Sequence, residues 1–223
     1  MYQSPYMKLK PKVHRPYTEV YLVRHCQPDY KKEKKLGEKN MPLSKKGLEQ
    51  RKFLTDKLLT MKIDKVYASE IIRAIETATV YAQKKKKKIF IDERLNEIDW
   101  THWLKVKYFN MTEKTREKKL KHHLALDKQL DKIQTTARRV LADIYKDNKG
   151  KSVVIFSHGN FIKALITGII NADVIGFLSL EIFQSSITKL IIDRDGFVKI
   201  NYINDVSHLP YPPNEDLFKT LIN

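Results

Sequence analysis

The chain has 223 residues, of which 42% are hydrophobic, enough for the core of one α/β domain. Its formal net charge of +17, mostly from lysine, would favour the approach of phosphorylated substrates, although lysines can equally cover solvated faces. The single cysteine excludes an intramolecular disulfide. No apolar run approaches the roughly 20 residues of a membrane span, so we expect a cytoplasmic protein with no membrane partner.

The N-terminal stretch differs in composition from the rest of the chain. Residues 1–17 are polar and basic and contain three prolines, which predicts an extended arm. They lack the apolar region of a secretory signal. No linker divides the remainder, so residues 18–223 are predicted to form a single domain.

The first strand is predicted by the β-branched and aliphatic residues 20–23. Arg24 and His25 follow it directly, and the turn-prone Pro28 and Asp29 come soon after. Both side chains would therefore lie at the carboxyl edge of a sheet, where open α/β folds bind ligands. Arginine offers a planar fork for phosphate oxygens, and histidine offers a nitrogen that can attack phosphorus. Taken alone, the pair also fits a strand cap in a solvated loop.

The next segments alternate between helix and strand. Residues 29–42 predict a lysine-rich loop, and Ser44 is a plausible N-cap for the helix that follows. Residues 65–68 predict a strand that ends at Ser69, and residues 70–83 predict a second helix. The first helix has one apolar face, formed by Leu48, Phe53, Leu54, Leu58 and Leu59.

The central part of the chain contains one long helical pattern. Residues 84–88 are five lysines, interpreted as a solvated helix end, before a strand at residues 89–91. Residues 92–112 are irregular, and residues 112–146 predict a helix. Its apolar stripe, at steps of three and four residues, consists of Leu126, Leu130, Ile133, Ala137, Leu141 and Ile144.

The C-terminal part predicts a strand at residues 151–156 that ends in Ser157 and His158, then a helix at residues 161–170. Two strands at residues 187–192 and 197–203 would be joined by a turn at Asp195-Gly196. The whole pattern predicts a three-layer α/β/α sandwich with a mostly parallel central sheet and an antiparallel C-terminal hairpin.

Histidine, arginine and glutamate residues lie at or after the ends of several predicted strands. His25 and His158 each follow a strand, Arg73 lies one turn into a helix after Ser69, and Glu97 lies in the irregular loop. No acidic cluster at metal-ligand spacing is visible, so no metal and no cofactor are predicted. Two histidines, two arginines and one carboxylate suit metal-free phosphoryl transfer through a covalent phosphohistidine.

Five short motifs in order then carry a resemblance to a known family. They are Arg24-His25 with Gln27, Leu43–Gly47 with Gln50, Ser69–Ala74 with Thr77, Leu95-Asn96-Glu97, and Ser157-His158-Gly159-Asn160. In this order and at this spacing, they resemble the histidine phosphatase superfamily, the group that includes cofactor-dependent phosphoglycerate mutases. The resemblance covers about two-thirds of the chain, from residue 20 to about residue 170.

The resemblance implies a role for each matching residue. His25 would be the nucleophile that accepts the phosphoryl group, Glu97 the proton donor, and His158 a catalytic member of the phosphate pocket. The substrate-binding residues would be Arg24, Arg73, Gln27 and Gly159, with the glycine allowing close backbone approach beside His158.

Three departures from the family pattern bear on these roles. The glycine that usually follows the nucleophile is Cys26 here, and an asparagine found in many members is Lys31. The segment after Glu97 lacks the usual glycines, so Asp99 competes with Glu97 as the acid. His102, between two tryptophans, could touch substrate or pack in the loop.

The preferred function is hydrolysis of a phosphomonoester, or of phosphohistidine on a protein, so the partner is a small phosphorylated substrate or a phosphoprotein. The replacement at Lys31 and a loop with many lysines but no paired arginines disfavour the alternative of mutase-type phosphotransfer. A non-catalytic phosphate-binding module is a second alternative. Specific nucleic-acid binding is not expected, because aromatic residues are not interleaved on a basic face.

Overall fold

The computed structural model describes residues 14–100 and 112–211. Its centre is a six-stranded sheet. The strands are β1 (Thr18–Arg24), β2 (Lys65–Ala68), β3 (Ile89–Ile91), β4 (Ser152–Ser157), β5 (Ile187–Ile192) and β6 (Val198–Asp205). They lie in the order β3-β2-β4-β1-β5-β6. The pairs β1–β4, β4–β2 and β2–β3 are parallel, whereas β5 and β6 run antiparallel at one edge.

Helices cover both faces of this sheet. They are α1 (Glu33–Leu36), α2 (Lys45–Leu59), α3 (Ile72–Lys84), α4 (Glu113–Asp147), α5 (Gly159–Ile169) and α6 (Val174–Ser179). One apolar core lies between the sheet and α4, α5 and α6, and another lies between the sheet and α2 and α3. In β1, Val20 and Leu22 belong to the first core, while Tyr21 and Val23 belong to the second. The predicted three-layer α/β/α sandwich with an antiparallel C-terminal hairpin is confirmed.

Several local predictions were wrong in detail. Residues 30–40, predicted as a loop, form three short helical turns whose side chains are all exposed. Leu48, predicted on the apolar face of α2, is 44% exposed, because the buried positions of that helix include Gly47, Gln50 and Leu54 instead. Helix α6 was not predicted. Its N-cap is Asp173, whose side chain accepts a hydrogen bond from Gly176 N.

Some predictions fall outside the described residues. Residues 1–13 of the predicted arm and His102 are among them. The division into an arm of residues 1–17 and a domain of residues 18–223 therefore stays a prediction. Within the described ranges, no helix is both long enough and apolar enough to cross a membrane.

The start of α2 lies unusually close to the segment that follows β1. Ser44 caps the helix by accepting from Gly47 N at 3.0 Å, and Ser44 N donates to Gln27 O at 3.0 Å. A Cβ atom on Gly47 would lie 2.1 Å from Gln27 O, so only glycine fits at this position. This contact fixes the residues just after His25 against α2.

We expect Gly47→Ala to destabilise the protein by about 1–3 kcal/mol, because backbone must shift to relieve the overlap. Lys45→Ala, at an exposed position two residues earlier, is the matched control. Urea unfolding followed by circular dichroism measures the difference. Equal unfolding midpoints for the two variants would show that the contact is not needed.

Candidate active site

His25 lies one residue beyond β1 and is 3% exposed. Its Nδ1 lies 2.7 Å from Cys26 O, and Arg73 Nε donates to its Nε2 at 3.2 Å. A carbonyl oxygen can only accept and an arginine nitrogen can only donate. The contacts therefore define a neutral ring with its proton on Nδ1 and a lone pair on Nε2, directed towards Arg73.

The charge state of His25 follows from its surroundings. Burial lowers the pKa of His25 well below its usual value, and the nearby His158, Arg24 and Arg73 lower it further. The imidazole is therefore neutral at pH 7. A neutral ring with an unprotonated Nε2 is the form in which histidine acts as a nucleophile.

His158 lies beside His25, with 5.0 Å between the ring centroids. Its Nε2 is 2.8 Å from Ser69 Oγ, and that hydroxyl donates to Asn96 Oδ1 at 2.7 Å. His158 Nε2 must then donate to Ser69, which leaves Nδ1 unprotonated in the neutral ring. This Nδ1 is buried and has no hydrogen-bond partner within the described ranges. Burial, followed by Arg73 and Arg24, holds the pKa of His158 well below its usual value.

Arg24 ends β1 and packs against the start of α5. Its Nη1 donates to Ile182 O, while its buried Nε has no hydrogen-bond partner among the residues described. A Cβ atom on Gly159 would lie 3.2 Å from this Nε. The Arg24 guanidinium thus packs closely against Gly159, so a larger residue there would overlap with it, while a role of Gly159 in substrate binding stays a prediction.

Arg73 is the second residue of α3 and is almost completely buried. Besides its bond to His25, its Nη1 donates to Glu38 O at 2.8 Å and its Nη2 to Glu38 Oε1 at 3.1 Å. The four predicted residues His25, His158, Arg24 and Arg73 therefore occupy one edge of the sheet. Their positions agree with the prediction from strand ends.

Glu97 is half-buried beside α5, and its Oε1 accepts from Ile98 N at 3.1 Å and Asn160 N at 3.0 Å. Burial raises the pKa of Glu97, although Arg24, these two amides and Arg73 act in the opposite direction. A raised pKa keeps more of the carboxyl protonated, as a proton donor requires. Asp99, the competing candidate, is exposed.

Cys26 and Gln27, the two residues after His25, are held by hydrogen bonds to Thr77 and Ser44. Cys26 is fully buried, its amide donates to Thr77 Oγ1 at 3.0 Å, and burial raises the pKa of its thiol to about 12. The thiol therefore stays neutral. Gln27 Oε1 accepts from Ser44 Oγ at 2.9 Å, which ties it to α2. A role of Gln27 in substrate binding stays a prediction.

Three residues of the site had no role in the sequence-based prediction. Ser69 and Asn96 orient His158, and Glu38 binds Arg73. Ser69 and Asn96 stand inside recognised motifs, so their polar side chains could have been assigned. Glu38 lies in the lysine-rich segment, where nothing in the sequence marks it.

Outside this site, a cavity of about 860 Å³ lies at the opposite end of the sheet, between α4, α5 and the β5–β6 turn. It is lined mainly by apolar side chains and includes none of the predicted site residues. In the part of the chain that the structure describes, no group of three or more His, Cys, Asp or Glu side chains is arranged to hold a metal ion.

Comparison with known proteins agrees with this geometry. Residues 20–205 match the histidine phosphatase superfamily (branch 1), and the chain therefore belongs to that family. It is 23% identical to "Putative phosphoserine phosphatase 2" of Hydrogenobacter thermophilus, over 85% of this chain and 96% of that protein. It is also 23% identical to "Probable phosphoglycerate mutase GpmB" of an Enterobacter species, over 89% and 98% of the two chains.

A solved structure shows the same fold. A mutant phosphoserine phosphatase from Entamoeba histolytica, in complex with phosphoserine, superposes with a TM-score of 0.68 and 21% identity. The match covers 86% of this chain and 99% of that one. This similarity shows the fold, and the family match supports phosphatase or phosphotransfer chemistry in general terms.

The two buried neutral histidines predict that stability falls in acid. Their folded pKa values are lowered, so below about pH 6.5 the unfolded chain binds more protons than the folded one. We expect unfolding free energy to fall by at most about 1.4 kcal/mol per pH unit for each histidine. His158→Asn should reduce this slope in urea titrations between pH 7 and pH 5. An unchanged slope would contradict the assigned charge state.

Proposed function

We propose that the protein is a metal-independent phosphatase that hydrolyses a phosphomonoester, or phosphohistidine on a protein, through a phosphohistidine intermediate at His25. The observation that carries the proposal is the tautomer of His25. The bond between Nδ1 and Cys26 O leaves Nε2 unprotonated, and this atom accepts a hydrogen bond from the buried Arg73. This combination is suited to attack on an anionic phosphoryl group.

In the first step, His25 Nε2 attacks phosphorus, so that an N–P bond forms while the P–O bond to the leaving group breaks. Glu97 gives its proton to the leaving oxygen. In the second step, the Glu97 carboxylate accepts a proton from water, whose oxygen attacks phosphorus. The N–P bond then breaks, its electron pair returns to Nε2, and inorganic phosphate leaves.

The arginines and His158 would stabilise the charge of the transferring group. Arg24 Nε is buried without a hydrogen-bond partner among the residues that the structure describes, and it can donate to a phosphate oxygen. A phosphate dianion beside His158 would raise its pKa, so that Nδ1 could take up a proton and donate as well. Preformed donors of this kind supply most of the electrostatic stabilisation in phosphoryl transfer.

The substrate is proposed to be a small phosphorylated compound or a phosphoprotein. A relative named for phosphoserine hydrolysis supports a small phosphomonoester, while a relative named as a mutase supports phosphotransfer as the alternative. Hydrolysis is preferred because Lys31 replaces the asparagine of many members. A screen of sugar phosphates, phosphoserine, phosphoglycerates, nucleotides and a phosphohistidine peptide separates the two. Release of inorganic phosphate supports hydrolysis, and conversion between phosphoglycerate isomers without release supports the mutase.

The identity of the acid can be tested through the leaving group. We expect Glu97→Gln to slow hydrolysis of alkyl phosphates by about 10²–10⁴-fold. The loss should be much smaller for p-nitrophenyl phosphate, because p-nitrophenolate departs without a proton. Asp99→Asn is the matched control, and it should affect both substrates little. The reverse pattern would assign the role of the acid to Asp99. Small, equal losses in the two variants would favour a non-catalytic phosphate-binding module.

Independence from metal is a separate expectation. Since the proposed charge stabilisation comes from two arginines and His158, dialysis against a chelator should leave the rate of phosphate release unchanged within about twofold. Steady-state assays before and after dialysis measure this. Complete loss of turnover, restored by one added divalent cation, would refute it.

A further inference from the structure

The arginine that faces the nucleophile already binds a carboxylate. The Nε–Nη2 edge of a guanidinium donates two parallel hydrogen bonds, the geometry that recognises two phosphate oxygens. In Arg73 this edge is fully used, by His25 Nε2 at 3.2 Å and by Glu38 Oε1 at 3.1 Å. Nη1 is bound to the main-chain oxygen of Glu38. A phosphate at His25 must therefore replace existing partners of Arg73.

Glu38 is placed so that it can be replaced. The Arg73 side chain is 4% exposed, whereas that of Glu38 is 59% exposed. Glu38 begins a three-residue turn that contains no buried side chain. Its carboxylate can therefore move into water without disturbing the core, while Arg73 stays fixed in α3.

Arg24, the other predicted phosphate ligand, shows a weaker form of the same arrangement. Its Nη1 lies 3.8 Å from Glu181 Oε1, and the Glu181 side chain is 48% exposed. Each arginine of the site thus has one partly exposed carboxylate beside it. The contact at Arg73 is a hydrogen-bonded ion pair, and the contact at Arg24 is a longer ion pair.

We propose that Glu38 determines how tightly the site binds phosphate by occupying the position of a phosphate oxygen on Arg73, and that Glu181 does so to a smaller extent through its charge beside Arg24. This inference rests on the proposed function for the identity of the ligand, a phosphate dianion. The dianion displaces Glu38 because it carries more charge and more acceptor oxygens than one carboxylate. The affinity for phosphate is thereby reduced by the cost of breaking the Glu38–Arg73 pair, which assists release of the inorganic phosphate product.

The test is direct binding of inorganic phosphate, measured by isothermal titration calorimetry at pH 7 and constant ionic strength. Three variants each remove one negative charge: Glu38→Gln, Glu181→Gln and Glu33→Gln. Glu33 is the matched control, because it lies on the same exposed segment and its burial and charge resemble those of Glu38. All three variants change the long-range field of the protein by a similar amount.

We expect Glu38→Gln to bind phosphate about two- to tenfold more tightly, Glu181→Gln to show a smaller gain, and Glu33→Gln to stay near the unchanged protein. Equal gains in phosphate affinity in all three variants would show that the effect comes from net charge alone and would overturn the inference. Weaker binding in Glu38→Gln would show that Glu38 positions Arg73 for phosphate, which also overturns it.

If Glu38→Gln does not fold, as judged by circular dichroism, Glu38→Asp takes its place. The shorter side chain keeps the charge but withdraws the carboxylate from Nη2, so phosphate should again bind more tightly. The measurement needs no turnover. A protein that binds phosphate but does not hydrolyse esters would therefore refute the proposed function and leave this inference standing, while the absence of phosphate binding to the unchanged protein would overturn it.

Discussion

Strands β1 and β4 pair in parallel with Arg24 opposite Ser157, so the residue after each strand emerges at the same edge of the sheet. Those residues are His25 and His158. Strand β2 pairs with β4 on its other side, and the chain after β2 brings Ser69 within hydrogen-bond distance of His158. A one-residue slip of β4 would exchange its buried faces and move His158 away from His25. Because β1 and β4 are covered by helices on both faces, this register is strongly specified.

The electrostatics of the site at this edge of the sheet depend on burial. Burial lowers the pKa of both imidazoles, the nearby Arg24 and Arg73 lower it further, and both rings are therefore neutral. The same burial raises the pKa of Glu97 even though Arg24 and Arg73 oppose it. One environment thus keeps the two histidines uncharged and shifts the Glu97 carboxyl towards its protonated form. The overall charge of +17 acts at longer range than these groups, on the approach of an anion from solution.

The sequence predicted the parts of the site that depend on strand ends and motifs. His25, His158, Arg24 and Arg73 could be named because each ends or follows a recognisable strand or begins a helix, and Glu97 because it stands in a motif of the resembled family. The tautomer of His25 could not be predicted, because it depends on the position of a main-chain oxygen.

The misses share a physical reason. Glu38 pairs with a residue 35 positions away, and the exposed segment around it has no hydrophobic periodicity that would place it. Leu48 was assigned to the core on apolarity alone, whereas the buried contact at that part of α2 is made by Gly47 against Gln27. Close backbone contacts of this kind are tertiary contacts, which the periodicity of the local sequence does not predict.

The central claim is that Nε2 of His25 carries the phosphoryl group. It is tested most directly by denaturing the enzyme in alkali during turnover of a radiolabelled phosphomonoester and locating the labelled atom by mass spectrometry and NMR. The account predicts label that is stable in base and labile in acid, bound to Nε2 of His25 and missing from His25→Ala. Label on Nδ1 or on another residue, or undiminished turnover in His25→Ala, would contradict it.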